Sequence, residues 1–391
     1  MKIKNFLFKK IKKISNNAET LYTNQMYDVQ LVWCTIILLL TGLIMVTSSS
    51  MPTAKHIYGD LFFFTKRELL YLILMLFLVN ITLQIPISFW KIYSEKLILI
   101  SIIMLLLVLI ISNPINGSLR WIQISYINIQ PAEISKLTTF CYLSSYLSRK
   151  YYEIVSSFWG FCKPIGIICI MSILLLLEPD LGTVAIYFIT VLSLLFITEA
   201  KIWKFMPIVL IGIIAITILI TITPYRIERI LSFWNPWNDP FGKGYQLTQS
   251  LMALGRGNIF GVGLGHSIQK LEYLPEAHTD FIFSIIGEEL GYFGVCIILF
   301  MIFFIAFRAL NIGKNALKNN DFFSGYFAFS IGIGFISQTL INVGTTIGIV
   351  PAKGLTLPLI SYGGSSLIIV SISIAILLRI DFETRMKNKF Y

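Results

Sequence analysis

The sequence predicts an all-α polytopic membrane protein, with about ten transmembrane helices and one long extracytoplasmic loop between spans seven and eight. Of its 391 residues, 56% are hydrophobic and 13% are charged, whereas a soluble domain carries about 25% charged residues. The mean hydropathy is +0.78. Apolar runs of the roughly 20 residues that a membrane-spanning helix needs recur along the chain. Together these features indicate that the folded chain is solvated largely by lipid.

Taken in order, the apolar runs give ten expected spans within one domain that has no internal repeat. The fourth span contains Glu133 and Lys136, and the sequence Glu178-Pro-Asp180 separates the fifth from the sixth. The expected limits are 29–48, 69–88, 96–112, 132–148, 163–177, 181–197, 204–223, 281–307, 323–349 and 359–379.

Both termini are expected in the cytoplasm, because basic residues concentrate in the connections on the N-terminal side of the membrane. Residues 1–28 form a basic tail without the apolar core of a cleavable signal. Residues 29–380 form the membrane domain, and residues 381–391 form a second tail. The net charge of +11 is therefore attributed to contact with anionic lipid and not to nucleic-acid binding.

Residues 224–280 form the expected long loop on the outer side of the membrane. Connections between elements usually have about 4–6 residues, and much longer ones are functional or disordered. The glycines and aromatic residues of this segment, such as Trp234 and Trp237, favour a folded functional loop.

A first group of candidate site residues ends this loop, in Leu274-Pro-Glu-Ala-His-Thr-Asp280. Asp280 stands at the outer end of the eighth span, where partial desolvation raises the pKa of a carboxylate and suits it to act as a general base. Glu276, His278 and Thr279 lie beside it. The alternative is that Thr279 or Asp280 caps the eighth helix, and the two roles are compatible.

A second group comprises Arg120-Trp121, Glu133 and Lys136. Glu133 and Lys136 are three residues apart and share one helix face. Charged side chains within a membrane domain usually face the bundle interior or a polar cavity. Lys136 is thus either a cation that lines a pocket for an anionic substrate, held by Glu133, or half of a structural ion pair. Trp121 is a site residue or an interfacial anchor.

A third group lies between Pro351 and Ser366, where two prolines and Gly363-Gly364 interrupt the apolar run. Non-helical backbone at membrane depth requires protein or a wet cavity around it, so a re-entrant or loop-to-helix element is expected. Its serines donate hydrogen bonds either to a substrate or to a neighbouring helix; they are Ser361, Ser365 and Ser366.

The residues also constrain the kind of reaction. The glycines from Gly255 to Gly265 lack the βαβ context of a nucleotide loop, and no nucleotide pool exists outside the membrane. Neither His56 nor His266 has a ligand-spaced partner, so no metal site is predicted, no cofactor is identified, and assistance by a divalent cation is left open. A lipid-linked pyrophosphate sugar, which carries its own leaving group, fits these constraints. Its phosphates would meet basic residues such as Arg120, Lys136, Arg229 and Lys353.

Four stretches of the sequence resemble the SEDS family (shape, elongation, division and sporulation), and so do the number of spans and the position of the long loop. Ala277 before His278 and the sequence Gly354-Leu-Thr-Leu-Pro are similar to the division type of the family. At Thr345-Thr346 and Ala352 the family more often has other residues. The stretches are Asn235-Pro-Trp-Asn-Asp-Pro-Phe-Gly-Lys-Gly-Tyr-Gln-Leu, Leu274-Pro-Glu-Ala-His-Thr-Asp-Phe-Ile-Phe, Gly287-Glu-Glu-Leu-Gly and Lys353-Gly-Leu-Thr-Leu-Pro-Leu-Ile-Ser-Tyr-Gly-Gly-Ser-Ser.

The resemblance implies a peptidoglycan glycosyltransferase that polymerises lipid II and releases undecaprenyl pyrophosphate. It also implies an essential carboxylate at Asp280 and functional roles for Lys136 and Trp121. The implied location is the bacterial inner membrane at the division septum. The implied partners are a class B penicillin-binding protein, which is a transpeptidase, and other division proteins. Two alternatives are a lipid II flippase and a non-catalytic scaffold for the division machinery.

Overall fold

The computed structural model describes residues 27–112, 120–124, 127–198, 202–207, 210, 212, 233–242, 244–351 and 354–390. The helices are α1 (Val29–Tyr58), α2 (Phe63–Gln84), α3 (Ile87–Ile111), α4 (Pro131–Arg149), α5 (Tyr151–Ser156), α6 (Phe158–Leu177), α7 (Leu181–Ile197), α8 (Tyr245–Arg256), α9 (Ile282–Lys318), α10 (Phe322–Thr346) and α11 (Gly364–Phe390). Short 3-10 helices cover Ile202–Lys204 and Pro236–Asn238. Strands β1 (Ile122–Ile124) and β2 (Ile127–Ile129) form an antiparallel hairpin in which Ile122 pairs with Ile129.

The helical membrane fold is confirmed, whereas the count of ten spans stays a prediction. Within the described residues, seven helices are long and apolar enough to cross a membrane: α1, α2, α3, α6, α9, α10 and α11. Helix α7 is apolar but has 17 residues, and α4 contains many polar side chains. Most of the expected span 204–223 lies outside the described residues, as do residues 1–26 of the N-terminal tail.

Several of the expected limits differ from the ends of the helices, and proline and glycine explain two of these differences. The expected span 69–88 crosses Pro86, but α2 ends at Gln84 and α3 begins at Ile87, because the residue before a proline is disfavoured in a helix. The expected span 359–379 begins five residues too early. Helix α11 starts at Gly364, and the described residues from 354 to 363 are not helical.

Helix α4 lies in the interior of the bundle, and its serines and threonines allow close packing. Ser135, Thr138 and Ser144 are buried, and their hydroxyls donate to backbone carbonyls three or four residues earlier on the same helix. Small residues of this kind let membrane helices approach closely. A Cβ on Gly334 of α10 would lie 2.7 Å from Cε2 of Phe140 on α4. The ring of Phe140 therefore packs directly against the backbone of α10 at Gly334.

The described part of the loop that is expected on the outer side of the membrane contains a helix. Helix α8 buries Thr248, Gln249, Ser250 and Ala253. The Ser250 hydroxyl donates to the Thr346 carbonyl at 2.7 Å, which attaches α8 to the C-terminal end of α10. Residues 244–280 thus contain a helix followed by turns, residues 224–232 lie outside the described part of the chain, and the folded functional loop stays a prediction.

Candidate active site

Asp280 ends a series of turns directly before α9, and it does not cap that helix. The N-cap residue of α9 is Phe281, without a side-chain hydrogen bond. The turn is closed instead by Glu276, whose carbonyl accepts from the Phe281 amide at 3.2 Å and whose Oε2 accepts from the Thr279 hydroxyl at 2.7 Å. The carboxylate of Asp280 thus remains available for chemistry, and the capping alternative does not apply.

Protein surroundings hold the pKa of Asp280 far above that of an ordinary aspartate. Desolvation of this half-buried residue is the largest cause, and Glu276 adds to it. Arg120 opposes the shift, Asp180 adds to it slightly, and the resulting pKa is about 7. A general base is most effective when its pKa lies near the working pH. The raised pKa agrees in direction with the sequence analysis, and the role of Asp280 as a base stays a prediction.

Arg120 and Asp280 meet at Gly354. A Cβ built on Gly354 would lie 3.0 Å from Nη1 of Arg120 and 3.4 Å from Oδ2 of Asp280. The guanidinium is anchored at the turn between α6 and α7, where Nε donates to the Glu178 carbonyl at 3.1 Å and Nη2 donates to the Pro179 carbonyl. A fixed cation therefore stands beside the candidate base, where it can neutralise a phosphate.

Lys136 lies deeper in the bundle, in a buried network. Its Nζ lies 2.8 Å from Oε2 and 2.9 Å from Oε1 of Glu133, and it donates to Oε1 of Gln338 at 2.9 Å. These side chains, with Pro358, border a cavity of about 30 Å³, which is enough for a water molecule. The predicted pairing of Glu133 with Lys136 is present, and Gln338 is a third member that sequence reasoning missed.

Helix α10 links this network to Asp280. Gln338 donates through Nε2 to the Thr356 carbonyl at 2.9 Å. Asn342, one turn later, donates through Nδ2 to the carbonyls of Leu355 at 2.6 Å and Asp280 at 3.0 Å. The non-helical segment is therefore held by side chains of α10, and Lys136 and Asp280 belong to one hydrogen-bonded assembly.

The serines of the third group bind protein groups, which favours their structural interpretation. The Ser361 hydroxyl accepts from the Leu357 amide at 2.7 Å. Ser365 donates to the Asn128 carbonyl at 2.9 Å and accepts from the Gln130 amide at 3.0 Å. Ser366 shares a 2.8 Å hydrogen bond with Thr356. These contacts fasten the start of α11 to β2 and close the turn before it.

His278 is buried among aromatic side chains, and these surroundings do not suit a phosphate-binding residue. Its ring centroid lies 4.5 Å from that of Phe64 and 5.7 Å from that of Tyr362. Burial lowers the pKa of His278, while Glu276 opposes the shift. Trp121 is half-buried just before β1. Arg229 and Lys353 lie outside the described residues.

Sequence reasoning placed the acidic turn Glu178-Pro-Asp180 between two spans but did not include it in the site. Asp180 caps α7 by accepting from the amide and hydroxyl of Thr183 at 3.2 and 2.7 Å. Glu178 is fully buried, and desolvation followed by Asp180 raises its pKa to about 8 while Arg120 opposes the shift. The signal that could have found them is the position of polar residues at a helix boundary within an apolar run. Across the described residues, no group of three or more His, Cys, Asp or Glu side chains is arranged to hold a metal ion.

Comparison with known proteins agrees with this architecture. A family model described as cell cycle protein, for FtsW, RodA and SpoVE, matches residues 29–386. A relative from Buchnera aphidicola subsp. Baizongia pistaciae, named a probable peptidoglycan glycosyltransferase FtsW, is 69% identical over 93% of this chain and 96% of its own. A relative of the same name from Escherichia coli O6:H1 is 56% identical over 93% of this chain and 88% of its own.

A solved chain from a peptidoglycan synthase complex has the same fold. It superposes with a TM-score of 0.73 at 24% identity, over 92% of this chain and 98% of that one. The resemblance to the SEDS family and to its division type is confirmed, and the protein is a multi-pass membrane protein. The chain belongs to the FtsW, RodA and SpoVE family of cell cycle proteins.

Proposed function

We propose that this protein is a peptidoglycan glycosyltransferase that polymerises lipid II for septal cell-wall synthesis, with Asp280 as its general base. The observation that carries the proposal is the meeting of Asp280 and Arg120 at Gly354, a base with a pKa of about 7 beside an anchored cation. The close relatives named probable peptidoglycan glycosyltransferase FtsW support the same reaction.

In the proposed mechanism, Asp280 takes the proton from the 4-hydroxyl of the acceptor sugar. The acceptor oxygen attacks C1 of the donor sugar, the bond from C1 to the diphosphate breaks, and the anomeric centre inverts. The proton ends on Asp280, and undecaprenyl pyrophosphate leaves with the electron pair. A positioned base contributes about 10²–10⁴-fold to such a step.

Cations of the site would stabilise the charge that develops on the diphosphate. Arg120 is the cation that lowers the pKa of Asp280, and its two backbone acceptors fix its direction. Lys136, held by Glu133 and Gln338, supplies a second positive charge deeper in the bundle. Arg229 and Lys353 remain candidates from the sequence.

The proposed setting is the bacterial inner membrane at the division septum, with both termini in the cytoplasm. The proposed partner is a class B penicillin-binding protein, together with other division proteins. The solved chain of the same fold comes from a complex in which polymerization and crosslinking are coordinated, which supports a transpeptidase as partner.

The decisive experiment is Asp280→Asn, assayed on labelled lipid II with the partner transpeptidase. We expect a folded protein that makes no glycan polymer. The matched control is Glu272→Gln, which removes an exposed carboxylate of the same outer loop that pairs with His56 and should retain full activity. Undiminished polymer from Asp280→Asn would refute the proposal.

The flippase alternative is tested by the same proteins in vesicles, where a transporter moves lipid II without making polymer. A transporter is also expected to have paired discontinuous helices in both halves. The interruptions described here, at Gly291 within α9 and between Pro351 and Gly364, both lie in the last third of the chain. The described architecture therefore favours the polymerase.

A further inference from the structure

Helix α9 is interrupted at Gly291. This residue has φ 69° and ψ −172°, a conformation that is essentially restricted to glycine. In an unbroken helix, the amides of Tyr292 and Phe293 would donate to the carbonyls of Glu288 and Glu289, four residues earlier. The break at Gly291 thus leaves two backbone amides and two backbone carbonyls without their helical partners.

The outer-loop residues 258–263, here called the bridging segment, satisfy all four groups. The Tyr292 amide donates to the Asn258 carbonyl at 3.0 Å, and the Phe293 amide donates to the Ile259 carbonyl at 3.0 Å. In return, the Glu288 carbonyl accepts from Val262 at 2.9 Å, and the Glu289 carbonyl accepts from Gly263 at 3.0 Å. The bridging segment therefore supplies an acceptor for each of the two amides and a donor for each of the two carbonyls.

Such an approach of two backbones requires glycines. A Cβ on Gly261 would lie 2.2 Å from the Glu289 carbonyl oxygen, and a Cβ on Gly291 would lie 2.2 Å from the Gly261 nitrogen. One turn away, a Cβ on Gly257 would lie 1.8 Å from the Gly287 carbonyl oxygen. Neither backbone leaves room for a side chain at these points.

The side chain of Glu288 fastens the residues around the bridging segment to the same part of α9. It is fully buried and accepts from Nη1 of Arg256 at 3.0 Å, from the Ser267 hydroxyl at 2.5 Å and from the Ile268 amide at 3.0 Å. A buried carboxylate without such partners would be strongly disfavoured. Glu288 therefore orders both flanks of the bridging segment, from residue 256 to residue 268.

We propose that the bridging segment sets the position of Asp280, with Gly261, Gly291 and Glu288 as positioning residues. Residues 282–290 are joined to the rest of α9 at Gly291, where the helical hydrogen bonds are broken. The bridging segment and Glu288, by contrast, hold these residues to the outer loop. Asp280 stands two residues before this short helix and moves with it. The inference rests on the function proposed above, because Asp280 is the residue whose placement it explains.

The test compares Gly261→Ala with Gly265→Ala. Both glycines lie in the outer loop with positive φ, 79° and 82°, but a Cβ on Gly265 has no atom within 4 Å. The two substitutions therefore share the backbone strain and differ in the collision with α9. We expect Gly261→Ala to reduce kcat for lipid II polymerisation by about 10²-fold, the effect of a misplacement of about 1 Å, with KM unchanged. Gly265→Ala should leave kcat close to wild type.

Equal kcat values for the two variants would overturn the inference while leaving the proposed function intact. Absence of polymer from the wild-type protein would instead overturn the proposed function. If Gly261→Ala does not fold, hydrogen exchange of the wild-type protein decides. The amides of Val262, Gly263, Tyr292 and Phe293 should exchange as slowly as the interior of α9. If these amides exchange as fast as that of the exposed Leu264, the hydrogen bonds between the bridging segment and α9 do not form.

Discussion

Glu133 and Lys136 form an ion pair at 2.8 Å in which both side chains are almost completely buried, at 5% and 6% exposure. Removal of one partner from a buried pair costs about 3–5 kcal/mol, because the remaining charge is uncompensated. Replacement of both partners by apolar groups is often close to neutral. Stability and catalysis can therefore be separated at this pair.

We expect Lys136→Met to lower the melting temperature and abolish polymer synthesis. The double variant Glu133→Leu, Lys136→Met should recover most of the stability but none of the activity, because the cation is still missing. Thermal melting and a lipid II assay on the two variants provide the measurement. Restored polymer in the double variant would show that Lys136 has no part in the reaction.

The pH dependence of the reaction should follow Asp280. A base must be ionised, so the rate should rise with pH through about 7, the pKa of this group. Arg120 lowers that pKa, so Arg120→Gln should move the rise to higher pH as well as reduce the rate. Rates between pH 5.5 and 9 give the profile. As a control, Lys66→Gln removes an exposed lysine paired with Asp60 and should leave the profile unmoved.

The same carboxyl should make stability depend on pH. Its folded-state pKa of about 7 exceeds the ordinary value, so the protonated form is favoured in the folded state. This stabilisation is complete at acidic pH and is lost as the pH rises towards 7. The melting temperature of Asp280→Asn should therefore rise relative to wild type between pH 4 and 7 and then level off. A constant difference across this range would contradict the raised pKa.

Gly354→Ala should reduce polymer synthesis about tenfold or more in a folded protein. The added methyl group would press against Nη1 of Arg120 at 3.0 Å and Oδ2 of Asp280 at 3.4 Å, and displacement of reacting groups is costly. Gly59→Ala is the matched control, since Gly59 has nearly the same φ, 70° against 66°, with open space around it. Equal activity in the two variants would mean that backbone strain alone explains any loss.

Local sequence patterns predicted the features that depend on neighbouring residues. Helical spacing predicted the pairing of Glu133 with Lys136, and the motif before the eighth span placed Asp280 directly before the start of α9. The prolines and glycines between Pro351 and Gly364 predicted a non-helical element. The start of α11 was misplaced because Leu357, Leu359 and Ile360 continue the apolar run up to it.

Contacts between distant parts of the chain were not predictable in the same way. Gln338 and Asn342 look like isolated polar residues in an apolar helix, and their roles depend on Lys136 and on residues 355–356. Gly291 looks like an ordinary glycine of a membrane helix, because the backbone groups that replace its hydrogen bonds come from residues 258–263. Such pairings depend on tertiary packing, which a single sequence does not display.

The burial of α4 has a consequence for the order in which the protein assembles. Lys136 reaches Gln338, which is 202 residues further along the chain, and α4 packs against α10. During synthesis, the ribosome therefore delivers a charged, serine-rich helix to the membrane long before its permanent neighbour exists. Chains shortened before α10 would lack Gln338, and Lys136 would keep Glu133 but lose its second side-chain partner.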